Sequence, residues 1–381
     1  MNKSHPFGLG WVPDLPDHRD KTFSKAVTDS RVERQAVPKP KKAGAQKASK
    51  TSEAAAHTFQ GWQASQCALE EYVDMKHGER VRLNLELAKA AAFGAARSSR
   101  QIEADRRTPR PVSRPLLLDE PPPVSSLPPK VDLRPFLSPI EQQEQISSCT
   151  AHAIIGLVEY LQIATRAEYV DASRLFLYKA TRNLLQWSGD SGAYLRETIK
   201  ALRLFGVCPE RYWEYDAEKL DDEPSTFCYS FAANYKSMSY YRMENLTDIK
   251  RSLAQGYPVA LGFTCFESIF LDRVRRNGVI SYPQKNERNS GGHAVLAVGY
   301  IEAEPGTRKV PGSSGSLIIR NSWGPNWGEA GYGYLPYAFI QGNAEDALPL
   351  SDDYWTMTRM EMPDLSDTQA APFTMDSTFT E

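Results

Sequence analysis

Two periodicities divide this chain, and the order in which they come limits what it can fold into. Between Val131 and about residue 235 apolar residues recur at helical spacing. The pattern predicts one helix after Cys149, a second over Ser173 to Leu185, and a third over Tyr194 to Phe205 closed by Gly206. From about residue 236 the text turns β-like. Val259 to Phe263, Ala294 to Tyr300, Ser316 to Arg320, Gly331 to Leu335 and Tyr354 to Met362 read as strands, punctuated by glycine and proline. Helices first and strands second suggest an α+β protein with two lobes.

The flanks differ in composition. Residues 1–26 read as an N-terminal arm, whose Trp11 and Leu15 need somewhere to pack. Residues 27–56, with Pro38-Lys39-Pro40-Lys41-Lys42 and an Ala/Lys/Ser/Gly tract, read as a flexible basic linker. Residues 57–107 read as a helical extension, with Leu69, Tyr72, Val73 and Met75 on one amphipathic helix and Val81, Leu85, Ala88 and Ala92 on another. A proline-rich linker follows at 108–126, and the Thr/Ser/Asp-rich tail 363–381 reads as disordered. Residues 1–110 carry a net charge of +7 and the rest −9. That split makes 57–107 a candidate inhibitory segment docking on the remainder; the alternative is that both are simply solvated.

Composition closes off other classes. No stretch approaches the ~20 apolar residues of a membrane span, so no membrane partner is expected. Met1 to Pro6 has no apolar core of a secretory signal, which points to a cytoplasmic location or to export by a signal-independent route. Five cysteines, odd in number and without a Cys-x-x-Cys pair, argue against a disulfide framework or a zinc site. The basic tract has no interleaved aromatics, so no nucleic acid partner is expected.

The chemistry lies in three residues far apart in sequence. Cys149 opens the first predicted helix, where free N–H groups and the helix dipole favour a thiolate. A thiolate needs an imidazole partner, which later protonates the leaving group. Of six histidines, His293 is favoured: it begins the strand Ala294 to Val298, and Gly291-Gly292 before it leave room for a substrate backbone. His152, three residues beyond Cys149 on the same helix, reads as a packing residue. Asn321, at the end of the strand Ser316 to Arg320, can orient the imidazole without adding charge, and Trp323 can shield that hydrogen bond from water. For the oxyanion, the Cys149 amide is one donor and a glutamine of the preceding loop the second; Gln142, Gln143 and Gln145 compete.

Over roughly 127–362 the chain resembles the papain-like cysteine peptidases. The likeness is carried by Leu127-Pro128-Pro129-Lys130-Val131-Asp132, Gln143 to Cys149, Gly192-Ala193-Tyr194, Gly292-His293-Ala294-Val295 and Asn321-Ser322-Trp323-Gly324 through Gly331-Tyr332. The resemblance implies a helical lobe and an antiparallel β-barrel-like lobe. It implies a cysteine endopeptidase acting on protein or peptide substrates through an acyl-enzyme, without metal or cofactor. Gln143 would be the oxyanion glutamine, Cys149 the nucleophile, His293 the base and acid, and Asn321 the orienting amide. Gly192, Ala193, Tyr194, Leu195, Gly262, Gly292, Ala294 and Trp323 would meet the substrate. Tyr194, Leu195, Gly262 and Ala294 match the main specificity pocket, which takes the second residue before the cut, and their size suggests an apolar guest. A deamidase, transamidase or isopeptidase would use the same site, and a non-catalytic binding protein could share the scaffold.

The departures from the family pattern are local. Ile146 stands where the family has a disulfide-forming cysteine, Thr150 replaces an aromatic, and Glu144 and Ser147 replace glycines. Asn321 follows His293 by 28 residues, which implies an extended hairpin around Glu302 to Gly315. The Ser-Cys-Thr triplet and Gly206-Val207-Cys208-Pro209-Glu210 look like a bacterial-type member.

Overall fold

The computed structural model describes residues 7–14, 20, 22–23, 123–166, 169–303, 310, 313–342 and 349–361. The basic linker, the helical extension, nearly all of the proline-rich linker and the tail lie outside the described residues. Among those described, the helices are α1 (Cys149–Arg166), α2 (Arg174–Leu185), α3 (Leu195–Phe205), α4 (Thr226–Ala232), α5 (Leu246–Ala254), α6 (Asp272–Asn277) and α7 (Ala338–Gln341). The strands are β1 (Lys130–Asp132), β2 (Lys236–Arg242), β3 (Val259–Phe266), β4 (Asn289–Glu302), β5 (Gly315–Arg320), β6 (Tyr332–Pro336) and β7 (Asp353–Glu361).

Local chemistry sets the helix ends. Ser173 caps α2 by accepting the Phe176 N–H, and Asn245 caps α5 by accepting that of Asp248. Gly206 ends α3 at φ +76°, a conformation that glycine enters without strain. Four elements fall outside the expected division. β1 lies inside the region read as helical; its three residues are too few to show alternation. α5, α6 and α7 lie inside the β half, between its strands.

The strands form one antiparallel sheet in the order β2-β7-β3-β4-β5-β6, with β1 on the far end of β4. No pairing joins β2 to β6 among the described residues, so the sheet is open and the barrel-like lobe expected from the sequence does not close. The outer edge of β6 is covered instead by backbone bonds with Gly278 and Ile280.

α1 packs against β4 on one side and against α2 and α3 on the other. It is therefore buried on nearly every face, polar residues included. Glu159, wholly buried on α1, meets Arg174 of α2 at 3.0 Å and the Ser138 hydroxyl at 2.5 Å. Arg320 of β5 donates to the Ser138 carbonyl at 2.5 Å, so one ionic cluster ties the two lobes together. Removing one member strands the others in a dry interior. Glu159→Ala should lower stability by about 3 kcal/mol or more, read as a loss in the urea midpoint; an unchanged midpoint would show the cluster to be dispensable.

Candidate active site

Cys149 occupies the first turn of α1, at the junction with the sheet. Its sulfur accepts the Ala294 N–H at 3.4 Å, which brings it beside the residue that follows His293 on β4. His293 is wholly buried, and its Nε2 lies 2.8 Å from Asn321 Oδ1. That oxygen also accepts the Ser322 N–H at 2.8 Å, which identifies it as the acceptor and makes His293 Nε2 the protonated nitrogen. The other ring nitrogen, Nδ1, is buried and has no hydrogen-bond partner. The imidazole thus holds a free lone pair in the state that can take a thiol proton. Trp323 stacks on the imidazole with ring centres 4.6 Å apart.

The structure separates the three loop glutamines. Gln142 and Gln145 are exposed, while Gln143 is buried. The Ser322 hydroxyl donates to Gln143 Oε1 at 2.5 Å and the Gln143 N–H reaches the Ser322 carbonyl at 2.8 Å, which aims its amide group inwards. Glu144 takes the place of the family's glycine at φ +54°, in the left-handed region. His152 is buried with Nδ1 against the Ser148 carbonyl at 3.1 Å and its edge on Tyr215. Burial, helped by the Arg174 charge, pushes it down to about 3, so it stays neutral.

Asp190 has a role that sequence reasoning missed. Its carboxylate accepts the Ser147 N–H at 2.8 Å, the Ser147 hydroxyl at 2.9 Å and the Tyr178 hydroxyl at 2.9 Å. The Tyr178 oxygen in turn accepts the Gly192 N–H at 2.9 Å. This clamp joins the loop before the cysteine to the loop at 189–193. Ile146 marked the missing disulfide, but nothing in the local pattern named a replacement. Asp190→Ala should reduce kcat/KM about tenfold, since loss of a positioning group misaligns the reacting atoms; equal kinetics would show that the clamp does not position them.

The cleft is filled by the chain's own arm. Phe7 stacks on Trp323 with ring centres 4.7 Å apart. The Gly8 carbonyl accepts from Gln143 Nε2 at 3.0 Å, and the Gly8 N–H donates to the Glu144 carbonyl. Ala193 N–H donates to the Gly10 carbonyl at 2.8 Å, Val12 N–H to the Ala193 carbonyl at 3.0 Å, and Trp11 N–H to the Gly292 carbonyl at 3.1 Å. Gly10 is required: a Cβ there would come within 1.8 Å of the Ser147 carbonyl oxygen. The Trp11 indole lies on Gly262, where a Cβ would meet it at 2.0 Å. The arm thus touches Ala193, Gly262, Gly292 and Trp323. Tyr194 caps α3 and Leu195 begins it, buried; Ala294 is buried on β4; Gly192 sits at φ +73° under Gly10. The glycine alternation Phe7-Gly8-Leu9-Gly10-Trp11 was the available signal for a strand pressed against another backbone.

With the arm in place the thiol is fully buried. Burial pushes Cys149 up to about 11, and amides of Ala294, Gly10, Thr150 and Trp11 only partly offset it. Burial takes His293 down to about 4 against the opposing Asn321 bond. Both groups are therefore neutral at pH 7.

The sequence model of the papain family cysteine proteases matches residues 127–342. The chain belongs to the papain family. Its relatives include a peptidase C1-like protein of Acanthamoeba polyphaga mimivirus, 34% identical over 61% of this chain and 73% of that protein. Chicken (Gallus gallus) cathepsin K is 28% identical over 68% of this chain and 72% of its own. Among solved structures, xylellain, a cysteine protease from Xylella fastidiosa, matches with a TM-score of 0.58 at 26% identity, covering 94% of this chain and 98% of that one. This papain-family chain is thus a cysteine peptidase of α+β fold that acts on proteins, and the bacterial structure agrees with its bacterial-type motifs. No helix of the described residues is long and apolar enough to cross a membrane.

Proposed function

We propose that the protein is an endopeptidase that cuts through Cys149, His293 and Asn321 with a covalent acyl-enzyme, and that its N-terminal arm holds it latent. The observation that carries the first part is the His293 ring, pinned by Asn321 through Nε2 with Nδ1 left without a partner, next in the chain to the Ala294 N–H that holds the Cys149 sulfur. In this reading His293 Nδ1 takes the thiol proton and the sulfur attacks the scissile carbonyl carbon. The oxyanion accepts from Gln143 Nε2 and the Cys149 amide. The proton then passes to the leaving amine, and His293 activates the water that releases the acyl group. An epoxide or vinyl-sulfone thiol probe tests the assignment. Labelling should vanish in Cys149→Ala and persist in Cys67→Ala; labelling that survives loss of Cys149 would reject it.

The arm's direction supports latency. In a substrate, residues before the cut would reach the pocket at Gly262. In the arm, the carbonyl at the oxyanion glutamine belongs to Gly8, and it is the residues after Gly8 that reach the pocket. The arm therefore runs opposite to a cleavable peptide, and blocks the cleft without being a substrate. The inhibitory role expected of 57–107 falls on residues outside those described. The polarity also differs from the basic-on-acidic docking expected: Asp14 and Asp20 of the arm pair with Arg196 of α3 at 2.9 and 2.7 Å.

A further inference from the structure

We propose that Asp353 makes the pocket now holding Trp11 selective for substrate side chains that bring an N–H donor to its floor: arginine, lysine and tryptophan ahead of purely apolar residues. The inference rests on the peptidase reading and goes beyond it by naming the substrate class. It also departs from the apolar preference that Tyr194, Leu195, Gly262 and Ala294 suggested, because β7 supplies a wall that those four residues do not reveal.

Trp11 shows what the pocket accepts. Its side chain is buried to 5% exposure, and its Nε1–H donates to Asp353 Oδ2 at 3.0 Å. Asp353 opens β7 and pairs with Gly262 of β3, so its carboxylate stands beside the one position where a missing side chain leaves room for a large ring. The other oxygen, Oδ1, is taken by the Trp355 indole at 2.6 Å. The carboxylate is 1% exposed. When the arm leaves, Oδ1 keeps its donor and Oδ2 loses the one it has.

A buried carboxylate oxygen without a donor is costly, so the guest that restores one is favoured over a guest that cannot. A guanidinium or ammonium does so with charge, and an indole does so as Trp11 does. A leucine leaves the oxygen bare, and a glutamate adds repulsion. The charged groups around Asp353 leave this need unmet. Arg242 of β2 lies near enough to favour the carboxylate, but its guanidinium donates to the Asp352 carbonyl at 2.7 Å. Arg196 of α3 lies over the Trp355 ring. Asp14, which opposes ionisation, departs with the arm.

The same geometry makes the preference depend on pH. Burial raises Asp353 to about 6 with the arm docked, against the Trp11 and Trp355 hydrogen bonds and the Arg242 charge. A raised carboxyl pKa means the group is charged above that value and neutral below it, so the advantage of a cation fades on acidification.

The test uses the full chain carrying Trp11→Ala, which empties the pocket, and fluorogenic peptides that differ only in the second residue before the cut. At pH 7.5, kcat/KM for Arg, Lys and Trp should exceed that for Leu by tenfold or more, with Glu lowest. The Arg-to-Leu ratio should fall severalfold at pH 4.5. Asp353→Asn in the same background should lower the Arg-to-Leu ratio while Trp is retained, since an amide oxygen still accepts an indole N–H. The pH dependence of the ratio needs no second variant, so it decides the matter even if Asp353→Asn folds poorly. Leu or Phe equal to Arg and Trp at pH 7.5 would overturn the inference. Failure to cleave any peptide, with no labelling of Cys149, would instead overturn the peptidase reading and this inference with it.

Discussion

Replacing Cys149 by Ser, or His293 by Ala, should lower peptide turnover by about 10⁴-fold or more, because nucleophile and base act as one unit and neither works alone. Single-turnover kinetics would read the loss. Gln143→Ala should cost roughly 10²–10³-fold, the usual penalty for removing one oxyanion donor. Here the Ser322 hydroxyl donates to the Gln143 carbonyl oxygen, and the Gln143 amide nitrogen donates to the Ile146 carbonyl of its own loop at 2.8 Å and to the Gly8 carbonyl in the cleft at 3.0 Å. Asn321→Ala should fall between wild type and His293→Ala. It removes the bond that selects the Nε2-protonated tautomer but leaves the proton carrier in place. If His152→Ala abolished turnover and His293→Ala did not, the base would be misassigned, since His152 hydrogen-bonds to its own helix turn and not to Asn321.

The second large effect concerns the arm. Trp11→Ala in the full chain should speed labelling of Cys149 by a thiol probe about 10²-fold or more. Truncating a buried tryptophan typically costs 3–5 kcal/mol, and each 1.4 kcal/mol shifts the docked-to-open ratio tenfold. Among the described residues the ionic part of the docking is the pairing of Asp14 and Asp20 with Arg196, beside the indole, the Phe7 stack on Trp323 and the backbone bonds to Ala193 and Gly292. Raising salt should therefore change the labelling rate much less than Trp11→Ala does. The sign of the pH effect follows from the thiol. Its docked pKa of about 11 lies above the ordinary 9.0, so the thiol's contribution to docking is complete below about pH 9 and is lost as pH rises towards 11. Melting curves must show that the variant is folded. A folded Trp11→Ala protein that labels at the wild-type rate would rule out the arm as a block.

Asp353 and Asp190 illustrate how far reading the chain could go. Asp190 lies among small and polar neighbours and Asp353 just before the strand read from Tyr354, positions where a solvated loop carboxylate is the default expectation. Asp353 acquires its character from a residue 342 positions away, whose indole it binds in a dry pocket. Asp190 becomes a clamp only because α1 and the loop at 189–193 are brought together.

The sequence by itself determined the papain-like domain, the helix that Cys149 opens, the strands that carry His293 and Asn321, and the absence of the family's disulfide at Ile146. Those signals are local: a cap, a periodicity of 3.6 or 2, a glycine before a strand. The tertiary structure alone decided how the Gln143 amide is held, that the sheet stays open, and that residues 7–12 lie along the site. It also decided that the main pocket has an acidic floor. Each of these depends on contacts between residues far apart in the chain, whose energies come from burial and hydrogen bonding across elements, and such contacts leave no periodic trace in the neighbouring sequence.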